Sequence, residues 1–234
     1  MKQLELRRQL FKISSRSIIF LMLVLIISQF NLADYFPIRK IRVYGVNRLD
    51  QVEVQNALSP LVDHGFFTIN VDYIHDRLKQ IAWIADLHVR RVWPDQIVIR
   101  LSEKDPVAYW NDNTLLSQNG EVFSPKQESW PTGLPKFSGP EGQQLFMLKN
   151  FLDMNRLLLP LHAKISYLEL TPFLTWKLKL DNGITMQAGH KDVLTRLNQF
   201  VKVYPKIIGT RVNDVDYIDL RYANGFAVRW KEMG

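Results

Sequence analysis

The chain has 234 residues and no cysteine, which excludes disulfides, thiolate nucleophiles and thiolate metal sites together. Its formal net charge is +7, but Lys2, Arg7, Arg8, Lys12 and Arg16 against Glu5 place +4 of it in the first sixteen residues. The +3 left for the rest of the chain is too small to support nucleic-acid binding, and the basic bias reads as a topology signal.

Ser17 to Phe36 reads as a single N-terminal transmembrane helix. Ile18 to Ile27 is an unbroken apolar run, and Ser28 to Phe36 holds one charge, Asp34. Such a stretch rises about 30 Å as a helix, the thickness of the hydrocarbon core. The cations before it assign residues 1–16 to a cytoplasmic basic tail. Tyr35 and Phe36 suit the far interface. A cleaved signal peptide would need small residues before the cut, and a cut after Ala33 has Asn31 two positions earlier. A buried core helix is a third option, against which the clustered cations argue.

After the anchor, Ile41 and Val43 alternate with Arg42 and Tyr44, a strand that Gly45 ends. Asp50 is a candidate N-cap for a helix whose buried face is Val54, Ala57, Leu58 and Leu61. Asn70 or Asp72 caps a second helix, with Ile74, Leu78, Ile81 and Ala82 on its inner face. Two strands follow. Ala85, Leu87 and Val89 mark one, and Ile97, Ile99 and Leu101 the other, joined by the turn Trp93-Pro94-Asp95-Gln96. The order β-α-α-β-β fits either a POTRA (polypeptide-transport-associated) domain or a plain α/β sandwich. Asp105-Pro106 is the expected joint, dividing 37–106 from 107–234.

Beyond the joint the texture changes. Tyr109-Trp110 and Leu115-Leu116 flank the turn Asn111-Asp112-Asn113. Gln118-Asn119-Gly120 is another turn, before Val122 and Phe123. Ser124 to Gly142 holds four prolines and three glycines and reads as a long ordered loop or a chain of turns. Gln143 to Leu159 is a helix, its stripe of Met147, Phe151, Met154 and Leu158 widened by Leu148 and Leu152 and stopped by Pro160. Strands follow at Ile165 to Leu170, Thr175 to Leu180 and Ile184 to Gln187. Asp192 opens a helix with Leu194, Leu197, Val201 and Tyr204 on one face, ended by Pro205.

The last two strands invite a register argument. Ile218, Leu220 and Tyr222 share one face, as do Phe226, Val228 and Trp230. A two-residue Asn224-Gly225 loop would scramble these faces. A three-residue loop, Ala223-Asn224-Gly225, pairs Tyr222 with Phe226, Leu220 with Val228 and Ile218 with Trp230. It also sets Asp219 against Arg229 and makes Gly225 left-handed in a bulge. With no covering segment the terminal strand is a free sheet edge, and free edges pair with other chains.

No pattern of catalytic, cofactor or metal chemistry emerges. The histidines His64, His75, His88, His162 and His190 lack ligand spacing. Gly-rich phosphate loops, G-x-S-x-G and H-E-x-x-H are absent. Asp216 and Asp219 have opposite strand parity, which argues against a cation site. Physics alone reaches a bitopic membrane protein with an exported, non-enzymatic interaction domain.

These residues resemble the bacterial FtsQ/DivIB family of cell division proteins along essentially the whole chain. The likeness is carried by IRVYGVNRL after the anchor, EKDPVAYW at the joint, LLSQNGEVF, LPKFSGPEG, and VDYIDLRYANGFAVRWK at the end. Their order and spacing are more specific than any one of them. The resemblance implies an α+β protein. It would have a single N-terminal transmembrane helix, a POTRA domain (37–106), and a mixed β-sheet domain with flanking helices (107–234) that ends in a partner-binding hairpin.

The resemblance further implies a non-catalytic divisome scaffold in the inner membrane at the septum, N-terminus cytoplasmic and C-terminal domains periplasmic. It would link early division-ring components to septal peptidoglycan synthesis. FtsB and FtsL would bind at the terminal hairpin. FtsK, and less directly FtsW and FtsI, would meet the POTRA domain and anchor. Tyr222, Asn224, Gly225 and Trp230 are the implied partner-binding residues, with Tyr222 and Trp230 either interface or core. Some relatives carry a pairing arginine shortly before the strand Trp matching Trp176. Here Pro172-Phe173-Leu174 stands instead, so that the cation is another residue such as Lys177 or the contact is apolar. A POTRA-containing outer-membrane assembly or translocation factor is the alternative; it predicts tandem POTRA units.

Overall fold

The computed structural model describes residues 36–61, 65–222 and 225–231, together with Phe20 and Met22. The expected cytoplasmic tail, and nearly all of the expected transmembrane stretch, lie outside the described residues. Among the described residues, no helix is long and apolar enough to cross a membrane. Two compact units divide the chain. The first takes residues up to Val46, Asp50–Gln80 and Asp86–Ser102; the second takes Asn47–Leu49, Ile81–Ala85 and Glu103–Gly234.

The first unit runs β1 (Lys40–Tyr44), α1 (Gln51–Leu58), α2 (Val71–Lys79), β2 (Ile84–Val92) and β3 (Gln96–Glu103). The three strands pair in the order β1-β3-β2, with β1 parallel to β3 and Ile41 and Val43 beside Ile97 and Ile99. Gly45 leaves β1 at φ +93°, where a Cβ would strike the Leu101 carbonyl oxygen at 2.0 Å. Only glycine takes that turn without strain. Asp50 caps α1 by accepting the Val52 N–H at 2.9 Å. Asn70, not Asp72, caps α2, accepting from the N–H groups of Asp72 and Tyr73 at 2.9 and 3.1 Å. Each cap satisfies orphan donors of the first turn. Val54, Leu58, Ile74 and Leu78 are buried as expected. Ala85 is exposed while Ile84 and Leu87 are buried, so the period of two breaks where β2 begins. Val98, between the expected core residues Ile97 and Ile99, is buried as well; its strand is the central one of the three.

The second unit contains β4 (Pro106–Trp110), β5 (Thr114–Ser117), β6 (Val122–Phe123), β7 (Lys136–Ser138), α3 (Gln144–Leu158), β8 (Ile165–Leu170), β9 (Trp176–Leu180), β10 (Thr185–Gly189), α4 (Val193–Ile207), β11 (Val215–Asp219) and β12 (Ala227–Trp230). Its sheet order among the described residues is β12-β11-β10-β9-β8-β7-β4-β5-β6. The sheet is mixed: β7 lies parallel to β4 and β8, and β10 parallel to β11. One row of side chains crosses it strand by strand: Trp110, Phe137, Leu168, Leu178, Met186, Ile218 and Val228. This row, with Met147, Met154 and Leu158 of α3 and Leu197 and Phe200 of α4, builds the core. The neighbouring row, Tyr167, Lys179, Thr185, Tyr217 and Arg229, belongs to the opposite, polar face, as strand alternation requires.

Three expectations are corrected here. The stretch from Ser124 to Gly142 is not all loop, because β7 forms in its middle. Leu152 is exposed on α3, outside the buried stripe. Pro205 does not end α4, which continues to Ile207. Proline deletes one backbone donor, yet Ile208 N–H still donates to the Tyr204 carbonyl at 2.9 Å. Burial of Ile208 favours the extra turn.

Candidate partner-binding hairpin

The terminal hairpin forms, in a register two residues from the expected one. Asp219 faces Ala227, Ile218 faces Val228 and Tyr217 faces Arg229, and an irregularity between Val215 and Tyr217 then sets Val215 opposite Trp230. The shift by two preserves which residues face the core, so the face assignment stands while the pairings do not. The buried row decides between the registers, since Met186 beside Ile218 continues directly into Val228. The expected pairing of Asp219 with Arg229 is therefore absent. Arg229 donates Nε to Asp216 Oδ2 at 2.7 Å and lies over the Tyr217 ring at 5.3 Å. Asp219 is only 6% exposed and is held instead by Arg221. Its carboxylate accepts the Arg221 backbone N–H at 2.9 Å, Nε at 2.9 and 3.0 Å and the terminal nitrogen at 2.6 Å. Those bonds hold the Asp219 carboxyl below its usual range, against the opposing effect of burial.

The chain after β11 is steered by these contacts. Arg196 on α4 donates to the Arg221 carbonyl at 2.9 Å. The Arg221 side chain lies over Gly189, where an added Cβ would approach it to 3.3 Å. Tyr222 follows, 58% exposed. Ala223 and Asn224 lie outside the described residues, so the expected three-residue loop is not described as a whole. The left-handed bulge expected at Gly225 turns on its bond to Asn224 and lies outside the described residues with that loop.

Along β12 the exposure alternates: Ala227 and Arg229 are exposed, Val228 and Trp230 half-buried. Phe226, Val228 and Trp230 pack against the core, Phe226 edge-on to Phe200 at 5.2 Å. The Arg211 guanidinium covers the Trp230 ring at 4.2 Å, and Lys231 N–H closes the end on the Asp214 carbonyl at 2.7 Å. Tyr222 and Trp230 are thus at opposite ends of the hairpin, whose paired part is about 13 Å long. Tyr222 is a surface group; Trp230 is partly a packing residue. Among the described residues β12 is last in the strand order, and an edge strand turns one row of backbone N–H and C=O groups away from its sheet.

A second feature shares the Tyr222 end of the sheet. Ala227, Asp219, Gln187 and Lys177 stand in one row across β12 to β9. The 171–175 hairpin tip, which precedes β9, therefore lies beyond the same end of the sheet as Tyr222, which follows β11, two strand spacings or about 10 Å across. Phe173 at this tip is 87% exposed, and Leu174 is exposed with φ +57°. Lys177 is engaged with Glu169 at 3.0 Å. Sequence reasoning named Phe173 and Leu174 only as a departure from relatives; two apolar residues after a proline in a short hairpin tip were the available signal. Among the described residues, no group of three His, Cys, Asp or Glu side chains is placed to hold a metal.

Comparison with known proteins agrees with this architecture. Residues 36–104 match the family described as the FtsQ-type POTRA domain, and residues 108–221 the family described as the C-terminal region of the cell division protein FtsQ/DivIB. The chain is 36% identical over 196 residues to the cell division protein FtsQ of Coxiella burnetii, covering 83% of this chain and 81% of that one. It is 32% identical over 202 residues to the FtsQ of Alcanivorax borkumensis, covering 86% and 78%. Against the FtsQ of Burkholderia pseudomallei it is 32% identical over 199 residues, covering 83% and 80%. With both regions matched in order and relatives aligned over most of their length, the chain belongs to the FtsQ/DivIB family of cell division proteins and carries its type of POTRA domain.

Proposed function

We propose that this protein is a non-enzymatic scaffold of the divisome that binds FtsB, within an FtsB–FtsL pair, by strand addition to β12. The observation that carries the reading is the position of β12. Among the described residues it is the last strand of its sheet, with exposed alternate residues and an inner face packed on the core. Strand addition uses backbone hydrogen bonds for affinity and alternate side chains for specificity. In this reading Tyr222 anchors the partner at one end, Asn224 and Gly225 shape the loop beside it, and Trp230 stiffens the far end while presenting its exposed edge. The 171–175 tip supplies an apolar contact through Phe173 and Leu174 in place of a pairing cation.

Family membership and the sequence support the remaining parts of the reading. Residues 17–36 anchor the chain once in the inner membrane, N-terminus cytoplasmic, leaving both folded units in the periplasm at the septum. The domain of residues 37–106 positions the protein and meets FtsK, and with the anchor it reaches FtsW and FtsI; residues 107–234 bind FtsB. Confinement to the membrane raises the effective concentration of the scaffold near its partners and couples early division-ring components to septal peptidoglycan synthesis. A single FtsQ-type POTRA domain does not suit the outer-membrane assembly alternative, which calls for tandem units.

Hydrogen exchange on residues 37–234, with and without the periplasmic FtsB–FtsL segment, tests the reading. Protection gained by the amides of Ala227 to Trp230 supports it. Protection confined to the first unit, or binding that leaves β12 unprotected, overturns it.

A further inference from the structure

The first unit carries a second feature, at the end of its sheet where the chain arrives from the apolar stretch. Three segments are pinned together there. The Phe36 carbonyl accepts the Phe66 N–H at 2.7 Å, and Pro37 bridges Gly65. The N–H groups of Arg39 and Lys40 both donate to the Asp95 carbonyl, at 2.9 and 3.3 Å. The Arg91 guanidinium donates to the Ile69 carbonyl. The start of β1, the loop before α2 and the β2–β3 turn are thereby fixed at one end of the domain.

Each of these segments exposes a large aromatic residue. Phe36 is 38% exposed, Phe67 is 47% and Trp93 is 72%. Phe36 and Phe67 meet edge-on at 5.2 Å, and Phe67 meets the buried Phe66 in the same way. The pair is thus held rigidly while its outer surface stays uncovered. Arg39 and Lys40, which follow Phe36 in the chain, and Arg90 and Arg91, which precede Trp93, are exposed. An exposed Trp and Phe set is costly to leave in water, and here cations neighbour it in the chain. It is the composition found where proteins sit at the boundary of headgroups and acyl chains.

We infer that this end of the first unit is a membrane foot. Phe36, Phe67 and Trp93 lodge at the headgroup–acyl boundary, and Arg39 and Lys40 face anionic lipid headgroups. The inference rests on the reading of residues 17–36 as an anchor, because Phe36 is the last residue of that stretch and so lies where the span would leave the bilayer. Its consequence is mechanical. A domain seated on the lipid surface holds a fixed orientation and height, whereas one hung from a loose linker samples all of them.

The absence of cysteine allows single reporters to be placed in the full chain. Phe67→Cys, Trp93→Cys, Tyr44→Cys and Leu23→Cys variants are labelled with an environment-sensitive fluorophore and reconstituted into phosphatidylethanolamine–phosphatidylglycerol vesicles. Labels at 67 and 93 should emit to the blue of the label at 44 and be quenched by brominated acyl chains. The shift should weaken when phosphatidylglycerol is omitted. If 67 and 93 report water while 23 is quenched, the anchor stands and the foot is overturned. If 23 reports water as well, both are overturned. Shielding of 67 and 93 that appears only when a division protein is added also overturns the foot, in favour of a protein contact. A parallel measurement needs no label: bromolipid quenching of native tryptophan fluorescence should be lost in Trp93→Phe, and its persistence there would count against the proposal.

Discussion

Arg229 donates to Asp216 at 2.7 Å, three residues along the chain from Asp219, the carboxylate that a three-residue hairpin loop would have set against it. Both groups of the observed pair are substantially exposed. Its coupling in a double-mutant cycle should be about 1 kcal/mol or less. The cycle between Arg229 and Asp219 should return nothing beyond measurement error. Chemical denaturation of the three single and two double variants checks the register directly, because the alternative pairing inverts the two results.

Asp219 and Arg221 form the tighter pair, and it is pH-sensitive. The Asp219 carboxyl is held below its ordinary range by the Arg221 side chain. A depressed folded pKa contributes stability above the unfolded value of about 3.9, and that contribution is lost as pH falls through the folded value. Asp219→Asn should destabilise the protein by about 1–3 kcal/mol at pH 7. The difference between variant and wild type should shrink below pH 4, measured by urea unfolding across pH.

The two hairpin aromatics should separate by phenotype. Trp230→Ala removes a half-buried ring packed on the core and on Arg211, and should cost roughly 1–3 kcal/mol of stability. Tyr222→Ala removes an exposed ring and should leave stability within about 0.5 kcal/mol while weakening FtsB binding. Circular dichroism melts paired with binding isotherms distinguish them. A destabilised Tyr222→Ala or an unaffected affinity would refute its assignment as a surface anchor.

At the 171–175 tip, Leu174 holds a left-handed backbone that costs a residue with a Cβ about 1–2 kcal/mol. Leu174→Gly should be neutral or stabilising by up to about 1 kcal/mol. If the tip is an apolar partner contact, the same change weakens FtsB binding, and Phe173→Ser weakens it without a stability gain. Thermal unfolding and binding of the two variants separate backbone strain from contact.

At high pH three tyrosines should lag behind the rest. Burial, first among the causes at each, pushes Tyr167, Tyr204 and Tyr217 above the usual tyrosine value, with help from Glu169 at Tyr167 and Asp219 at Tyr217. Their contribution to stability is complete below about pH 10 and is lost as pH rises through the folded values. An ultraviolet titration of phenolate formation should show a late phase, reduced in Tyr217→Phe.

Much of the architecture was legible because it is local. The caps Asp50 and Asn70, the stripe of Met147, Met154 and Leu158, and the turn at Asn111-Asp112 depend on residues within a turn or two of one another. The chain itself therefore determined which segments are helix or strand, which face of each is apolar, and that no cysteine chemistry exists. Only the tertiary structure decided what depends on partners far along the chain. β7 has one apolar residue, Phe137, and becomes a strand because β4 and β8 flank it on both sides. Pro205 is carried inside a helix because Ile208 beyond it is buried. The register of β12 follows from the core row that runs through Met186 and Ile218 to Val228. Alternation has a period of two and cannot distinguish registers that differ by two residues, so the positions of Arg229, Trp230 and Tyr222 relative to their neighbours were set by packing across the sheet.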